Sequence, residues 1–187
     1  MSIAKTKGVG ATNCRSFVVK RFGEEGWAKV LAELSVDDQD DLRAIIPVGW
    51  YPLALYARLL RAIDAVCGGG RDMQVLYELG RFSAEHDLTT IHRMFLRFAN
   101  PAYIIEKTGE LWRRFHDTGT WEVTREPGGV TAVLTGWGYV DEALCVQLTG
   151  YTTRALELAG AKNVVMDHAR CRARGDKECR FRGTFRT

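Results

Sequence analysis

Four residues of types that commonly bind metal lie in the last 43 positions of the chain: Cys145, His168, Cys171 and Cys179. His168 and Cys171 precede a predicted hairpin turn and Cys179 follows it, and hairpin pairing brings such flanking positions close together. Three thiolates and one imidazole complete a tetrahedral zinc site with no position left for water, which is typical of a structural site. The four residues are therefore candidate ligands of a structural zinc ion.

Packing without a metal is the alternative for the same residues. Cysteine is among the most buried residue types, and Cys145 falls on the apolar face of its predicted helix. His168 and Cys171 are separated by an odd number of positions, so on a straight strand their side chains point to opposite faces. A shared metal therefore requires a bulge or a bend between them. Cys14 and Cys67 lie far away in the sequence, and we interpret them as structural or incidental.

A second candidate site is apolar. Pockets for small molecules are mostly apolar, with a few polar groups that orient the ligand. We therefore expect a small hydrophobic ligand between the predicted helices and the predicted sheet. The candidate ligand-binding residues are Tyr56, Phe95, Phe98, Trp112, Trp121 and Tyr151. The alternative is that these aromatic side chains are simply part of the core.

The elements that must position these residues are helical in the first two-thirds of the chain. Residues 1–14 show no periodic apolar pattern and are predicted to form a flexible arm, and residues 15–187 a single domain. After the arm, apolar residues recur at three- and four-residue steps, which indicates amphipathic helices. Ser35, followed by an acidic turn, favours one helix start because hydroxyl caps and acidic residues stabilise helix N-termini.

The last third of the chain predicts strands. The sequence Glu126-Pro127-Gly128-Gly129 separates two alternating segments, and proline followed by glycine suits a type II turn. A long helix is predicted from Asp141 to Ala159, then a strand from Val164 that returns as a last strand over residues 179–185. The predicted fold class is α+β: N-terminal helices packed on a four-stranded antiparallel sheet, with helix, hairpin, helix and hairpin in order at the C-terminus.

The composition is that of a soluble globular protein, with 187 residues, 46% hydrophobic, 26% charged and a net charge of +3. The most apolar stretch, residues 45–57, contains two prolines and is too short to span a bilayer, so no membrane insertion is expected. No signal peptide is evident. Five cysteines suit a reducing compartment, so we expect a cytoplasmic protein. The arginines at 170, 172 and 174 are interpreted as the solvated side of a sheet, and no nucleic-acid binding is expected.

The C-terminal residues resemble a known signature. Cys145, Gly150-Tyr151, His168, Cys171, Gly175, Cys179 and Phe181 are similar to the motif of the vinyl-4-reductase-like domain. In the aromatic-sensing members of that group, a helix residue and a terminal hairpin hold zinc, in the order cysteine, acidic residue, cysteine, cysteine. His168 stands where the acidic ligand would be, and imidazole is a good zinc ligand. The resemblance covers residues 112–185.

The whole chain resembles a paralogous myxobacterial family of unknown function, through residues 21–26, 50–56, 78–81, 117–119 and 168–181. Both resemblances imply the ligand-binding fold shared by nitric-oxide sensing domains and Golgi transport tethering subunits, often as a homodimer. Haem–nitric-oxide domains carry a tyrosine–serine–arginine pattern with single-residue gaps. Tyr151-Thr-Thr-Arg154 does not match that pattern, so no haem is expected. The histidines left as alternative axial ligands are His86, His92 and His116.

Together these features predict a cytoplasmic, non-catalytic domain that senses a small hydrophobic ligand, or acts as an adaptor, through an unidentified signalling protein. A structural zinc ion and a homodimer are part of this prediction. The alternative is a dimeric protein-interaction or scaffold module without a ligand. The sequence contains no GxGxxG loop, no P-loop lysine and no GxSxG elbow, so an enzyme is not expected.

Overall fold

Helices form the first part of the molecule and a β-sheet the last part, as the sequence predicts. A computed structural model describes residues 3–90 and 101–186. In chain order the elements are β1 (Lys5–Lys7), α1 (Val9–Ala32), α2 (Val36–Arg43), β2 (Trp50–Pro52), α3 (Leu53–Ile63), a π-helical turn (Asp64–Gly68), α4 (Gln74–Thr90), α5 (Pro101–Phe115), β3 (Thr120–Glu126), β4 (Gly129–Thr135), α6 (Glu142–Leu158), β5 (Lys162–Arg170), a 3₁₀ turn (Arg172–Arg174) and β6 (Cys179–Arg186). The α+β class is confirmed.

The main sheet has four antiparallel strands in the order β3-β4-β6-β5. Its first hairpin turns at Pro127-Gly128, where Gly128 has φ of +73°. This left-handed conformation suits glycine, which explains the predicted turn. Along β6, Cys179 and Phe181 are buried while Arg182 is exposed, because alternate side chains of a strand point to opposite faces. One face of the sheet is therefore packed against the helices.

Two predicted helix starts are confirmed by their caps. The Ser35 hydroxyl accepts a hydrogen bond of 3.2 Å from the backbone N–H of Asp38 at the start of α2. The Asp141 carboxylate accepts one of 2.8 Å from the backbone N–H of Ala143 at the start of α6. Each cap satisfies one of the backbone donors that a helix N-terminus leaves unpaired.

Residues 5–14 do not form the flexible arm that the sequence predicted. Residues 5–7 pair antiparallel with β2 as strand β1, and α1 begins at Val9. A Cβ atom on Gly8 would lie 2.2 Å from the carbonyl oxygen of Ile46, so this glycine permits a close approach of two backbone segments. Cys14 is fully buried in α1. This segment is ordered because its strand pairs with residues far away in the sequence, and local apolar periodicity does not indicate such pairing.

The two longest central helices of the core, α4 and α6, touch backbone to backbone. A Cβ atom on Gly80 would lie 2.0 Å from the carbonyl oxygen of Gln147, and one on Gly150 would lie 2.0 Å from that of Tyr77. This crossing fixes α6 between the helical layer and the sheet. The largest fully buried side chains include Leu53, Leu59, Leu60, Ile63, Leu76, Leu79, Leu134, Leu144 and Phe181. Within the described ranges, no helix has the length and apolar character needed to cross a membrane.

Candidate metal centre and ligand cavity

The structure brings together the four residues that the sequence singled out as metal ligands. Cys145 lies on α6, His168 on β5, Cys171 just after β5 and Cys179 at the start of β6. Their ligand atoms all lie within 4.8 Å of one another, and the Sγ atoms of Cys145 and Cys179 are 3.6 Å apart. All three cysteines are buried. We call this group the thiol–imidazole cluster.

A bulge resolves the geometric objection raised by the odd spacing of His168 and Cys171. The pairing of β5 with β6 shifts register between His168 and Arg170, so the strand does not continue straight into Cys171. Such an extra residue bends a strand and changes the direction of the side chains that follow. Both side chains therefore reach the same side of the hairpin.

Hydrogen bonds hold the loop that carries two of the ligands. The Asp176 carboxylate accepts a 2.8 Å hydrogen bond from the backbone N–H of Cys171, and the Arg174 guanidinium donates one of 2.7 Å to the backbone carbonyl of His168. Gly175, with φ of +95°, allows the chain to reverse. These contacts fix the positions of the ligand-bearing backbone.

Within the thiol–imidazole cluster, Cys179 is the cysteine that is held in its thiolate form. The hydrogen bond from Cys145, more than any other contact, lowers the pKa of Cys179 to about 4, and the backbone N–H of Arg172 adds a second donor at 3.4 Å from Cys179 Sγ. That same hydrogen bond, together with burial, raises the pKa of Cys145. Burial raises the pKa of Cys171. Because thiolates are the forms that ligate metal, a bound cation would release the remaining protons.

A cavity of about 410 Å³ lies between α1, α4, α5, α6 and strand β3. Four of the predicted ligand-binding residues lie on its wall: Tyr56, Trp112, Trp121 and Tyr151. The other two, Phe95 and Phe98, lie outside the described residues, as does His92. The cavity is separate from the thiol–imidazole cluster, none of whose residues lines it.

Part of the cavity wall is aromatic. The rings of Trp112 and Trp121 stack with centroids 5.6 Å apart and planes inclined by 10°. The Trp112 indole N–H donates a 3.1 Å hydrogen bond to the backbone carbonyl of Thr118, which satisfies its polar atom. Both tryptophans are buried. Where they line the cavity, the two indole rings offer apolar contact area to a ligand.

Another part of the cavity wall is polar, and sequence reasoning missed it. Asn13, Ser83 and Asp87 line the wall there and are all buried. The Asn13 side-chain amide donates a 2.8 Å hydrogen bond to the Asp87 carboxylate. A signal was present, because Ser83 and Asp87 are four positions apart and so share one helix face. Asn13 lies in the segment that was predicted to form a flexible arm, so it was not expected on the wall of a cavity.

His116 also lies on the cavity wall. Its imidazole stacks on Trp112 with centroids 4.0 Å apart and meets the edge of Trp137 at 5.3 Å. Burial lowers the pKa of His116 to about 3, so the ring is neutral at neutral pH. Its Nδ1 atom is buried and has no hydrogen-bond partner among the described residues. The ring therefore keeps an unused nitrogen.

No protein-family model and no curated protein matches this chain, so the vinyl-4-reductase-like and myxobacterial resemblances stay predictions. Solved structures do match. An H-NOX protein from S. oneidensis in the Fe(II)NO ligation state is 14% identical, with a TM-score of 0.74 over 97% of this chain and 99% of that chain. The Fe(II) unliganded H-NOX protein from K. algicida is 15% identical, with a TM-score of 0.69 over 97% of both chains.

Two further neighbours bear on the cofactor. An oxygen-binding H-NOX domain related to soluble guanylate cyclases has a TM-score of 0.68 at 10% identity, over 97% of this chain and 95% of that chain. A structure from work on modulating haem redox potential through protein-induced porphyrin distortion has a TM-score of 0.66 at 10% identity, over 96% of this chain and 99% of that chain. The expectation of no haem is contradicted by these neighbours. It rested on one local sequence pattern, whereas the likeness extends over the whole chain: this protein has the fold of H-NOX domains.

Proposed function

We propose that this protein is a non-catalytic sensing domain that binds one small, flat, largely apolar molecule in the cavity between its helices and sheet. The cavity carries the proposal. Its volume of about 410 Å³ falls within the range of roughly 300–1,000 Å³ that small-molecule sites occupy. Its wall combines stacked indole rings with a few polar groups, which is the usual make-up of such a site.

Helix α6 links the cavity to the rest of the domain. Tyr151 and Leu148 of this helix line the cavity, and Cys145 of the same helix belongs to the thiol–imidazole cluster. A ligand that moves α6 would therefore change the surface around the terminal hairpin. A signalling protein in the cytoplasm could bind this surface differently in the two states. All five cysteines are free, which supports a reducing compartment.

A haem is one planar molecule that the cavity residues fit. Haem iron is held by an axial histidine, cysteine, methionine or tyrosine. Among the described residues of the cavity wall, His116 is the histidine, and its neutral ring keeps a buried, unpartnered Nδ1. His116 would hold the iron. A haem bound in the cavity would supply an iron site for a diatomic gas.

We also propose that the thiol–imidazole cluster holds a structural zinc ion. A tetrahedral site with Zn–S bonds of about 2.3 Å places its sulfur atoms about 3.8 Å apart, close to the 3.6 Å between Cys145 and Cys179. The Nε2 atom of His168 is buried and lacks a hydrogen-bond partner in the described part of the chain, which suits a metal ligand. Zinc at this site would tie the terminal hairpin to α6.

The test of the sensing proposal is direct ligand binding. The purified protein is examined by absorption spectroscopy for haem and then titrated with haemin and, separately, with naphthalene. The Ala155→Phe variant fills part of the cavity, because Ala155 is buried on its wall. We expect at least one of the two molecules to bind once per chain, and the variant to weaken that binding at least about tenfold. Binding of neither molecule, or equal binding by the variant, would overturn the proposal.

A dimeric interaction module is the second candidate, favoured by one exposed apolar loop. Ile46, Val48 and Trp50 are 55%, 73% and 42% exposed, which is high for large apolar side chains. A second copy of the chain is the partner this candidate requires. Light scattering measures the mass in solution, and Val48→Asp would convert a dimer to a monomer. A monomeric wild type that binds ligand would contradict this candidate.

A further inference from the structure

The Ser83 hydroxyl is buried in the cavity wall without a hydrogen-bond partner. The residue is 2% exposed, and its Oγ contacts no donor or acceptor within the described ranges. A buried hydroxyl that makes no hydrogen bond lowers the stability of the folded protein, so such groups are uncommon and call for an explanation. Because Ser83 lines the cavity, a ligand in the cavity can supply the missing partner.

A carboxylate lies one helical turn further along the same wall. Asp87 is 7% exposed, lines the cavity and accepts the hydrogen bond from Asn13. Burial and the nearby Asp87 carboxylate raise the pKa of Tyr151, so its phenol stays protonated. An ionised carboxylate only accepts hydrogen bonds and has about four acceptor positions on its two oxygens. It can therefore accept a hydrogen bond from a ligand in addition to those from the protein.

Asp87 and Ser83 differ in the hydrogen bonds that they can make to a ligand. The Asp87 carboxylate can accept from a ligand donor in addition to its protein partners, whereas the Ser83 hydroxyl can donate or accept. The cavity wall also includes the indole rings of Trp112 and Trp121, which can contact an apolar body. A single hydroxyl group on a flat apolar molecule suits both Asp87 and Ser83, because it can donate one hydrogen bond and accept another.

We propose that Ser83 and Asp87 form a polar subsite that selects flat apolar molecules bearing a hydroxyl group. The ligand hydroxyl donates to the Asp87 carboxylate and accepts from the Ser83 hydroxyl, while its body lies against the tryptophans. This inference rests on the proposed function and narrows it: the cavity discriminates by hydrogen bonding, not by shape alone. A ligand that cannot donate loses the hydrogen bond to Asp87, and a ligand without an oxygen atom also leaves the Ser83 hydroxyl unpaired.

Calorimetric titration with two matched probes tests the subsite. The probes are 2-naphthol, which donates and accepts, and 2-methoxynaphthalene, which can only accept. We expect 2-naphthol to bind at least about tenfold more tightly, since a hydrogen bond to a charged group is among the stronger ones. The Asp87→Asn variant should reduce this preference to about twofold or less. Asp40→Asn, which removes an exposed carboxylate on α2, is the matched control and should preserve it.

The Ser83→Ala variant keeps the proposal falsifiable if Asp87→Asn fails to fold. Removing an unpartnered buried hydroxyl should leave the melting temperature of the ligand-free protein unchanged or higher. The same change should weaken 2-naphthol and 2-methoxynaphthalene each at least about threefold, because the oxygen atom of either probe can accept from the Ser83 hydroxyl, and it should leave naphthalene unaffected. Equal affinity of the wild type for both probes would overturn the subsite while the sensing proposal stands. Failure of every naphthalene probe and of haemin would instead overturn the sensing proposal itself.

Discussion

Phe181 stacks face to face on the imidazole of His168, with ring centroids 4.6 Å apart and planes inclined by 6°. The Phe181 ring also lies 5.4 Å from Trp121, which in turn stacks on Trp112. A continuous row of rings therefore runs from a candidate metal ligand to the wall of the cavity. Because close-packed interiors transmit strain, we expect a change at His168 to reach Trp121.

Removing the proposed zinc ion should therefore change the environment of Trp121. Treatment with a chelator is expected to shift the tryptophan emission spectrum, because release of His168 lets Phe181 repack against the indole. The measurement is fluorescence before and after chelation. In Trp121→Phe the shift should be largely lost, whereas Trp50→Phe, on the opposite part of the chain, should retain it. An identical shift in both variants would show that chelation acts elsewhere.

Cys179→Ser should release the proposed zinc ion and lower the stability of the fold. A structural zinc ion contributes directly to the free energy of folding, so loss of one ligand is expected to destabilise the protein by several kcal/mol, on the order of 3 or more. Elemental analysis and thermal unfolding measure both effects. Cys67→Ser is the matched control, since Cys67 is a half-buried free cysteine outside the cluster. Equal metal content in both variants would remove the case for zinc.

Gly150→Ala should destabilise the protein although it replaces a helix glycine. In an open helix this change stabilises by about 0.5–1 kcal/mol. Here the added Cβ would lie 2.0 Å from the carbonyl oxygen of Tyr77, so we expect a loss of about 1–3 kcal/mol as α4 and α6 move apart. Gly109→Ala, whose nearest contact is the carbonyl of Trp121 at 3.1 Å, is the control. Denaturant unfolding of the two variants should separate them; a stabilised Gly150→Ala would mean that the helices are not in backbone contact.

His116 should make the fold sensitive to mild acid. Its pKa is lowered from 6.5 to about 3 in the folded protein, so the unfolded chain takes up a proton first as the pH falls. Above pH 6.5 the group has no effect on stability; between pH 6.5 and 3 it increasingly favours unfolding. The expected loss at pH 5 is up to about 2 kcal/mol.

The measurement for His116 is the free energy of unfolding of wild type and His116→Gln at pH 7 and pH 5. The neutral amide cannot take up a proton, so the variant should lose less stability between these two values. The other histidines are common to both proteins, and the difference isolates His116. Parallel pH dependences in the two proteins would contradict the prediction.

Much of the fold could be predicted from local patterns. The Ser35 and Asp141 caps and the Pro127-Gly128 turn depend on interactions within a few residues, which the sequence displays directly. The proximity of the three candidate metal ligands on the hairpin was also predictable, because a hairpin brings its flanking residues together whatever else surrounds it. The odd spacing of His168 and Cys171 requires a bulge between them if both side chains are to reach one metal ion. The pairing of β5 with β6 contains such a register shift, between His168 and Arg170.

What the sequence by itself determined is therefore the class of each element and the chemistry of its most versatile residues. Only the tertiary structure decided the ordering of residues 5–14, the burial of Ser83 and Asp87 on the cavity wall, and the row of rings through Phe181. Each depends on contacts between segments far apart in the chain, so no local period or cap encodes it. A serine in a helix looks the same in sequence whether it faces water or a cavity; burial alone distinguishes the two.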